Sequence, residues 1–376
     1  MKNKTGTEER LDTIDVLFSD THSQIRLNNC PELASVIKRV CPGWPFEIAN
    51  YNPFNSDPFL SVNHTPKGYQ LSSVFMTQPK VYKNAVDAVC AMIVELAWAT
   101  LRDNPEWLCL HCAAVEFAGR LVIFPNARRA GKSTISTLLG LRGHKVFTDD
   151  FLALDVSARG EIHGLSSGIS TRMRMPWPDC FSNTLMRELN DSKRDFNKQY
   201  SYHSRQNTMP VPRGTRSAIG AVVLLERRDE CELTLSRIKT EKTLQTIILQ
   251  NFARATNSAN ILDVLYALVS QVPCYELSYE NAQTAVLKLE EVFQGWTEKE
   301  PLFQSDQFGT RDEPILGNTA VENSQRIHLD QVFTKNSDVV AYSVGDQQFL
   351  ATPNGKSIFQ LDGISTGVWN ALDDPT

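Results

Sequence analysis

Residues 121–134 read LVIFPNARRAGKST, and this stretch decides the fold. The apolar run at 121–124 is typical of a buried strand, and GKST at 131–134 begins an apolar helix. A strand, a tight loop and a helix in this order form the layout of a phosphate-binding loop. Backbone N–H groups and the helix dipole both favour an anion at the start of such a helix. The stretch therefore predicts a nucleotide site in an α/β protein.

The side chains of the loop indicate ATP and Mg²⁺ as cofactors. Lys132 would reach the β- and γ-phosphates, and the Ser133 hydroxyl would ligate the metal ion. The usual pattern begins with glycine, whereas this chain has Asn126, one of the few non-glycine residues that tolerate a positive φ. The residues expected to bind the nucleotide are Asn126, Ala127, Arg128, Arg129, Ala130, Gly131, Lys132, Ser133 and Thr134.

A pair of carboxylates follows the loop and its helix. Asp149 and Asp150 come directly after the apolar stretch at 145–148, in the position where nucleotide-binding proteins carry their metal-binding acid. One of the two would hold the metal, and the other would accept the proton of an attacking hydroxyl. The residues alone leave open which carboxylate has which role, and an Asp-Asp surface turn is the non-functional alternative.

Composition bounds the class of protein. The 376 residues are 41% hydrophobic and 22% charged, and the formal net charge is −5. No basic field attracts nucleic acid or anionic membranes. The first residues lack the apolar segment of a signal peptide, and no apolar run is long enough to span a bilayer. We therefore expect a cytoplasmic protein with neither nucleic acid nor membrane as partner.

The eight cysteines are scattered in apolar surroundings. Cys109 and Cys112 flank His111 in a CxxC pattern, but a zinc site would need a second ligand pair at matching spacing, which the sequence lacks. We interpret Cys109 and Cys112 as buried strand residues.

The organisation of the chain follows from its periodicity. Residues 10–85 predict strands with one short helix near 31–40, and residues 81–107 predict a longer helix. Residues 186–209 are polar and indicate either a mobile excursion over the site or a solvated helix. Further strands are expected at 107–115, 121–124, 145–148, 218–225, 231–238 and 273–277, and helices at 243–255, 261–269 and 281–293. The turn at 118–120 predicts a hairpin from the first two of these strands.

The chain resembles HPr kinase/phosphorylase-type kinases, which share their phosphate-loop core with phosphoenolpyruvate carboxykinase. The resemblance covers residues 86–295 and rests on His111, the loop, Arg142-Gly143-His144 and Asp149-Asp150. It implies that Asp149 or Asp150 is the catalytic base, that the other lies near the metal, and that Lys132 and His111 act beside the reacting phosphate. An ordinary strand histidine is the alternative for His111. The loop departs from the family at Asn126 and Arg129, where the family has glycine, and the family's second glycine-rich signature is absent. The carrier HPr and reversible phosphorylase activity are therefore not carried over.

Four arginines are candidates for binding substrate or phosphate, with surface solvation as the alternative. They are Arg172, Arg174, Arg213 and Arg216.

Residues 324–376 resemble PqqD, a small peptide-binding domain. The resemblance rests on the strands of AYSVGDQQFLATPNGKSIFQLD and the helix start in STGVWNALDD, and it implies three strands and a helix. Such domains bind the leader of a ribosomally made peptide as an added strand. The family's other helices are absent, so this unit is partial or is completed by another chain. The expected division is 1–85, an N-terminal α/β region; 86–295, the kinase domain; 296–323, a linker; and 324–376, the peptide-recognition unit.

Together these features predict an ATP- and Mg²⁺-dependent kinase of natural-product (RiPP) maturation. It would transfer the γ-phosphate to a Ser or Thr hydroxyl of a ribosomal peptide precursor or small protein, bound through its leader. The alternatives are a small-molecule kinase and a non-catalytic peptide-binding adaptor with a degenerate loop. No residue decides whether the chain forms a homo-oligomer.

Overall fold

The computed structural model describes residues 13–18, 24–51, 57–126, 129–158, 160–178, 180–204, 211–252, 257–296, 335–336, 338–345, 347–352 and 357–372. These residues form a mixed α/β protein. Its helices are α1 Leu33–Val40, α2 Ala85–Asp103, α3 Lys132–Leu141, α4 Asn183–Ser192, α5 Thr240–Gln250, α6 Ser258–Gln271, α7 Ala282–Phe293 and α8 Gly363–Ala371.

The strands are β1 Thr13–Phe18, β2 Gln24–Asn28, β3 Phe46–Asn50, β4 Leu60–Thr65, β5 Gly68–Ser73, β6 Lys80–Tyr82, β7 Leu108–Leu110, β8 Ala113–Phe117, β9 Arg120–Phe124, β10 Lys145–Thr148, β11 Leu152–Val156, β12 Ile162–Leu165, β13 Thr171–Arg174, β14 Lys193–Phe196, β15 Tyr200–His203, β16 Arg216–Arg227, β17 Thr234–Arg237, β18 Cys274–Tyr279, β19 Val340–Val344, β20 Gln347–Ala351 and β21 Ile358–Leu361.

The chain divides into two compact units, each built from several stretches. The first unit comprises Met1–Asn104, Ser136–Asp149 and Leu165–Thr215. The second comprises Pro105–Ile135, Asp150–Gly164 and Arg216–Thr376.

A six-stranded sheet forms most of the first unit, in the order β3-β1-β2-β4-β5-β6. Helix α2 confirms the helix predicted from periodicity. It starts at Ala85 because the Asn84 carboxamide accepts the Asp87 N–H at 2.9 Å, and it ends two residues before Pro105, which cannot continue a helix. The strands and the short helix expected before it are confirmed as β1 to β6 and α1.

The polar segment predicted as an excursion or a solvated helix is helical in its first part only. Helix α4 is capped by the Ser182 hydroxyl and buries Leu185 and Leu189, one turn apart. Strands β14 and β15 follow and join β13 in a three-stranded sheet of order β13-β15-β14. Residues 205–210 of this segment lie outside the described residues.

The second unit contains a sheet in which β8-β9-β16-β12-β11-β7 are neighbours, and β18 pairs with both β16 and β17. Strands β9 and β18 both run parallel to β16. The predicted hairpin of β8 and β9 is confirmed, with φ of 47° at Ala118 and 81° at Gly119 in its turn. Strand β9 leads through the loop into α3, so the predicted strand–loop–helix order is confirmed.

One strand prediction is wrong. Residues 107–115 were expected to form a single strand, but they form β7 and β8 with a break at His111 and Cys112. The two strands have different partners, since β7 pairs with β11 and β8 with β9. The pairing partner changes from β11 to β9 at His111, and the His111 N–H donates to the Gln250 carbonyl at 2.8 Å. His111 is therefore at a strand break.

Both cysteines of the CxxC pattern are buried, as predicted, and burial raises the pKa of the Cys109 and Cys112 thiols. Within the described ranges, no three or more His, Cys, Asp and Glu side chains are grouped so that they could hold a metal.

Strands β19, β20 and β21 form an antiparallel sheet in that order, followed by α8, as the C-terminal resemblance implies. The sheet packs on α6: the rings of Tyr342 and Tyr266 stack at 4.3 Å, and the Tyr342 hydroxyl donates to Asp263 at 2.6 Å. The expected linker falls almost entirely on residues outside the described ranges. Of the helices formed by described residues, none has the length and apolar character needed to cross a membrane.

Candidate functional site

Two described residues of the loop between β9 and α3 have a positive φ. Gly131 has a φ of +94°, and a Cβ there would lie 2.0 Å from the Tyr279 hydroxyl, so only glycine fits. Arg129 has a φ of +70°, in the left-handed region that few long side chains adopt. Ala127 and Arg128, also expected to bind the nucleotide, lie outside the described residues.

Lys132 is the first residue of α3, and its side chain turns back along the loop. Its ammonium donates to the Asn126 carbonyl at 2.5 Å, and the residue is 6% exposed. Ser133 and Thr134 follow in the first turn, where both are half-buried. The structure thus brings Asn126, Lys132, Ser133 and Thr134 together at a helix N-terminus, where an anion is electrostatically favoured.

The Asn126 side chain binds the neighbouring strand. Its carboxamide oxygen accepts the Leu225 N–H at 2.7 Å, and its nitrogen donates to the Leu225 carbonyl at 3.0 Å. Ile123 of β9 pairs with Val222 of β16. Asn126 and Leu225 each lie three residues further along the chain, so they lie beside each other. The unexpected asparagine of the loop is therefore a link to β16.

Tyr279 at the end of β18 supports the loop from another side. Its hydroxyl donates to the Ala130 carbonyl at 3.0 Å, and the residue is 1% exposed. Burial raises the pKa of Tyr279 to about 12, with a smaller opposing effect of Arg227. The hydroxyl consequently keeps its proton near neutral pH and remains a donor. Sequence reasoning missed this residue, because nothing in the chain near Tyr279 marks a contact with a loop 149 residues away.

His111 and Asp150 form a pair in the same unit as the loop. The His111 Nδ1 lies 3.3 Å from the Asp150 carboxylate, and the two side chains are 34% and 41% exposed. A carboxylate beside an imidazole can accept a proton and share it with the ring. His111 lies at the break between β7 and β8, next to Asp150.

Asp149 belongs to the first unit and is buried there. Its carboxylate accepts the Arg172 backbone N–H at 2.8 Å. The two adjacent carboxylates therefore differ: Asp149 is held by a backbone donor in a buried position, whereas Asp150 is partly exposed beside an imidazole.

The acidic pair and the Ser133 hydroxyl are oxygen donors, the ligand type that Mg²⁺ prefers. Mg²⁺ in nucleotide sites is held by one or two protein oxygens together with phosphates and water. The donor set therefore fits this ion, and it does not require the denser cluster of side chains that is absent from the described residues.

Each of the four candidate arginines contacts another side chain. Arg172 and Arg174 both lie over the Tyr200 ring, at 4.6 and 5.9 Å. Arg213 lies over Trp44 at 4.4 Å and donates to the Thr100 hydroxyl at 2.6 Å. In the second unit, the exposed Arg216 forms an ion pair at 2.8 Å with Asp155, whose side chain is 14% exposed. Substrate binding by these residues stays a prediction.

No model of a known protein family matches the chain, and no curated protein matches it. Among solved structures, the chain is similar to the Hpr(Ser) kinase/phosphatase from Coxiella burnetii, at 11% identity. The similar region covers 48% of this chain and 90% of that chain, with a TM-score of 0.24. A TM-score of this size supports no assignment, so the functional argument rests on the residues and their contacts.

Proposed function

We propose that the protein is an ATP- and Mg²⁺-dependent kinase that phosphorylates a Ser or Thr hydroxyl of a ribosomally made peptide precursor or small protein, in natural-product maturation. The observation that carries the proposal is the loop between β9 and α3, with Gly131 at positive φ and Lys132 at the helix start. The His111–Asp150 pair in the same unit adds groups that handle protons.

Phosphoryl transfer depends on positioning and charge neutralisation more than on covalent chemistry. Backbone N–H groups of the loop and Lys132 would hold the triphosphate, and the bound Mg²⁺ would neutralise charge on its oxygens. Ser133, in the same unit as the loop, would supply an oxygen ligand to that ion. The Asp149 carboxylate is buried and accepts a backbone N–H, which would hold its oxygen atoms in a fixed position.

Asp150 would act as the base. The acceptor hydroxyl gives its proton to the Asp150 carboxylate as its oxygen forms a bond to the γ-phosphorus. The bond from this phosphorus to the bridging oxygen breaks, and ADP leaves with the electron pair of that bond. His111 beside Asp150 would share the transferred proton. The partial exposure of both side chains supports this role, because an acceptor must be able to reach them.

The C-terminal sheet is the proposed site for the peptide. Strands β19 and β21 are its edges, and an edge strand can pair with an extended peptide through main-chain hydrogen bonds. Phe359 on β21 is 58% exposed and offers an apolar contact beside that edge. The contacts of Tyr342 with α6 attach this sheet to the unit that carries the loop.

The test is intact-mass analysis of candidate precursor peptides, encoded near this protein, after incubation with ATP and Mg²⁺. We expect a gain of one phosphate per peptide, lost when a Ser or Thr acceptor is replaced by alanine. ATP turnover with small hydroxyl compounds but with no peptide would favour the small-molecule kinase. If the protein binds no nucleotide at millimolar ATP, the kinase proposal is wrong and the adaptor is favoured.

A further inference from the structure

We propose that Asn126 and Tyr279 are positioning residues that hold the phosphate loop in its binding conformation. In this way the loop functions although two positions at which glycine was expected carry Asn126 and Arg129. The inference rests on the proposed nucleotide function and explains how this particular loop would perform it.

The first support is the pair of hydrogen bonds from Asn126 to Leu225, at 2.7 and 3.0 Å. A carboxamide has the same donor and acceptor as a peptide group, so Asn126 binds the backbone of β16 as a neighbouring strand residue would. Leu225 is 4% exposed in a rigid parallel sheet. The start of the loop is therefore fixed to a rigid element, which a glycine could not achieve.

This link also determines where the lysine ammonium lies. The Lys132 Nζ donates to the backbone carbonyl of Asn126 at 2.5 Å. Asn126, whose side chain is bound to β16, thus accepts a hydrogen bond through its own carbonyl from the Lys132 ammonium, which would bind the phosphates. Asn126 acts on binding through Lys132, so the effects of changing the two residues should be coupled.

The second support is the hydrogen bond of Tyr279 to the Ala130 carbonyl at 3.0 Å. In a trans peptide the carbonyl and the following N–H point in opposite directions. A carbonyl held toward Tyr279 therefore turns the Gly131 N–H to the other side of the loop, where it can donate to a phosphate. Without the tyrosine hydroxyl, that peptide could rotate and present an oxygen to the anion.

Arg129 shows why such support is needed. Its φ of +70° is unfavourable for a residue with a side chain and persists only where the surroundings impose it. The link at Asn126 and the link at Ala130 lie on either side of Arg129 in the chain. They impose the conformation that flexible glycines would otherwise adopt.

The test compares ATP affinity, measured by titration calorimetry, and turnover in the full chain and in the variants N126G, R129G, Y279F and Y275F. N126G restores the glycine of the usual pattern, so the pattern alone predicts unchanged or tighter binding. We expect instead that N126G raises the Kd for ATP about tenfold and Y279F about fivefold, from the lost hydrogen bonds. R129G should raise the Kd less than N126G does, and the control Y275F, a tyrosine of β18 without the link to Ala130, should stay within about twofold.

A second measurement separates positioning from general destabilisation. In the K132A background, N126G should weaken ATP binding further by less than twofold, and Tm should change equally in both backgrounds. Unchanged affinity in N126G and Y279F, or a larger loss in R129G than in N126G, overturns the inference while the kinase proposal stands. Failure of the unchanged protein to bind ATP overturns both.

Discussion

The molecule contains two clusters of polar side chains that use similar residue types for different purposes. The loop cluster in the second unit consists of Asn126, Lys132 and Tyr279 around the loop, with His111 and Asp150. The His203 cluster in the first unit consists of Trp177, Ser192, Ser201 and His203. Both contain a histidine that contacts another polar side chain.

The His203 cluster is closed by its own hydrogen bonds. The Trp177 N–H donates to the Ser201 hydroxyl at 3.1 Å, and Ser201 lies 2.8 Å from His203 Nε2. His203 Nδ1 lies 3.0 Å from the Ser192 hydroxyl, which donates to the Leu189 carbonyl. One proton order satisfies all of these contacts: Ser201 donates to Nε2, and Nδ1–H donates to Ser192. His203 is only 2% exposed, so it cannot exchange protons with a substrate.

The loop cluster uses its hydrogen bonds differently. Asn126 and Tyr279 bind the backbone of the loop's surroundings, while His111 and Asp150 keep a third or more of their side-chain surface exposed. We interpret the loop cluster as a site that acts on a ligand, because its histidine and carboxylate are exposed, and the His203 cluster as one that stabilises the fold. Four changes would test this interpretation.

The largest effect should come from K132A. We expect turnover to fall by about 10³-fold, because the substitution removes the ammonium that would bind the β- and γ-phosphates at the start of α3. Phosphate transfer is measured alongside the circular dichroism spectrum, which should be unchanged. K38A, which alters an exposed lysine of α1, is the control, and full activity in K132A would refute the role of the loop.

The next effect should come from G131A, with about a 10²-fold loss of ATP affinity. The Cβ of an alanine at this position would lie 2.0 Å from the Tyr279 hydroxyl. The alanine would also have to adopt a φ of +94°, which is unfavourable for a residue with a side chain. G119A is the matched control, since Gly119 has a φ of +81° with nothing within 4 Å of its Cβ. Equal affinity in both variants would show that loop shape is unimportant for nucleotide binding.

A smaller effect is expected for H111Q, with turnover reduced about 10-fold to 100-fold and little change in Tm. The glutamine keeps a polar group beside Asp150 but cannot take up a proton. Steady-state kinetics with saturating ATP measure the change. A loss of Tm without a loss of turnover would place His111 in the same structural class as His203.

The smallest effect on activity is expected for H203Q, which should leave turnover near pH 7.5 unchanged while altering the dependence of stability on pH. Burial lowers the pKa of His203 from 6.5 to about 4, with Lys193 adding to the effect. Between these values the unfolded chain binds a proton that the folded protein does not. The free energy of unfolding therefore falls as pH decreases below 6.5, by about 3 kcal/mol in total, and levels off near pH 4.

Chemical denaturation between pH 4 and 7.5 measures this dependence. H203Q should reduce its slope, because glutamine does not titrate, whereas H64Q, which alters an exposed histidine of β4, should not. An unchanged slope in H203Q would show that another group causes the acid sensitivity.

The sequence predicted those features that depend on local pattern. Helix α2 follows from apolar periodicity, and the order of β9, loop and α3 follows from residues 121–134. The break at His111 could not be predicted, because β8 pairs with its hairpin neighbour β9 whereas β7 pairs with β11, which lies much further along the chain. The hydrogen bonds of Asn126 to β16 could not be predicted either, since its partner Leu225 is 99 residues away.

The contacts of Asn126 and Tyr279 also affect whether the loop could be transferred to another protein. In our proposal this loop is held by a backbone position of β16 and a side chain of β18. A graft of residues 125–134 into another sheet would lack both hydrogen-bond partners. Reuse of the loop in another protein would therefore require β9, β16 and β18 together.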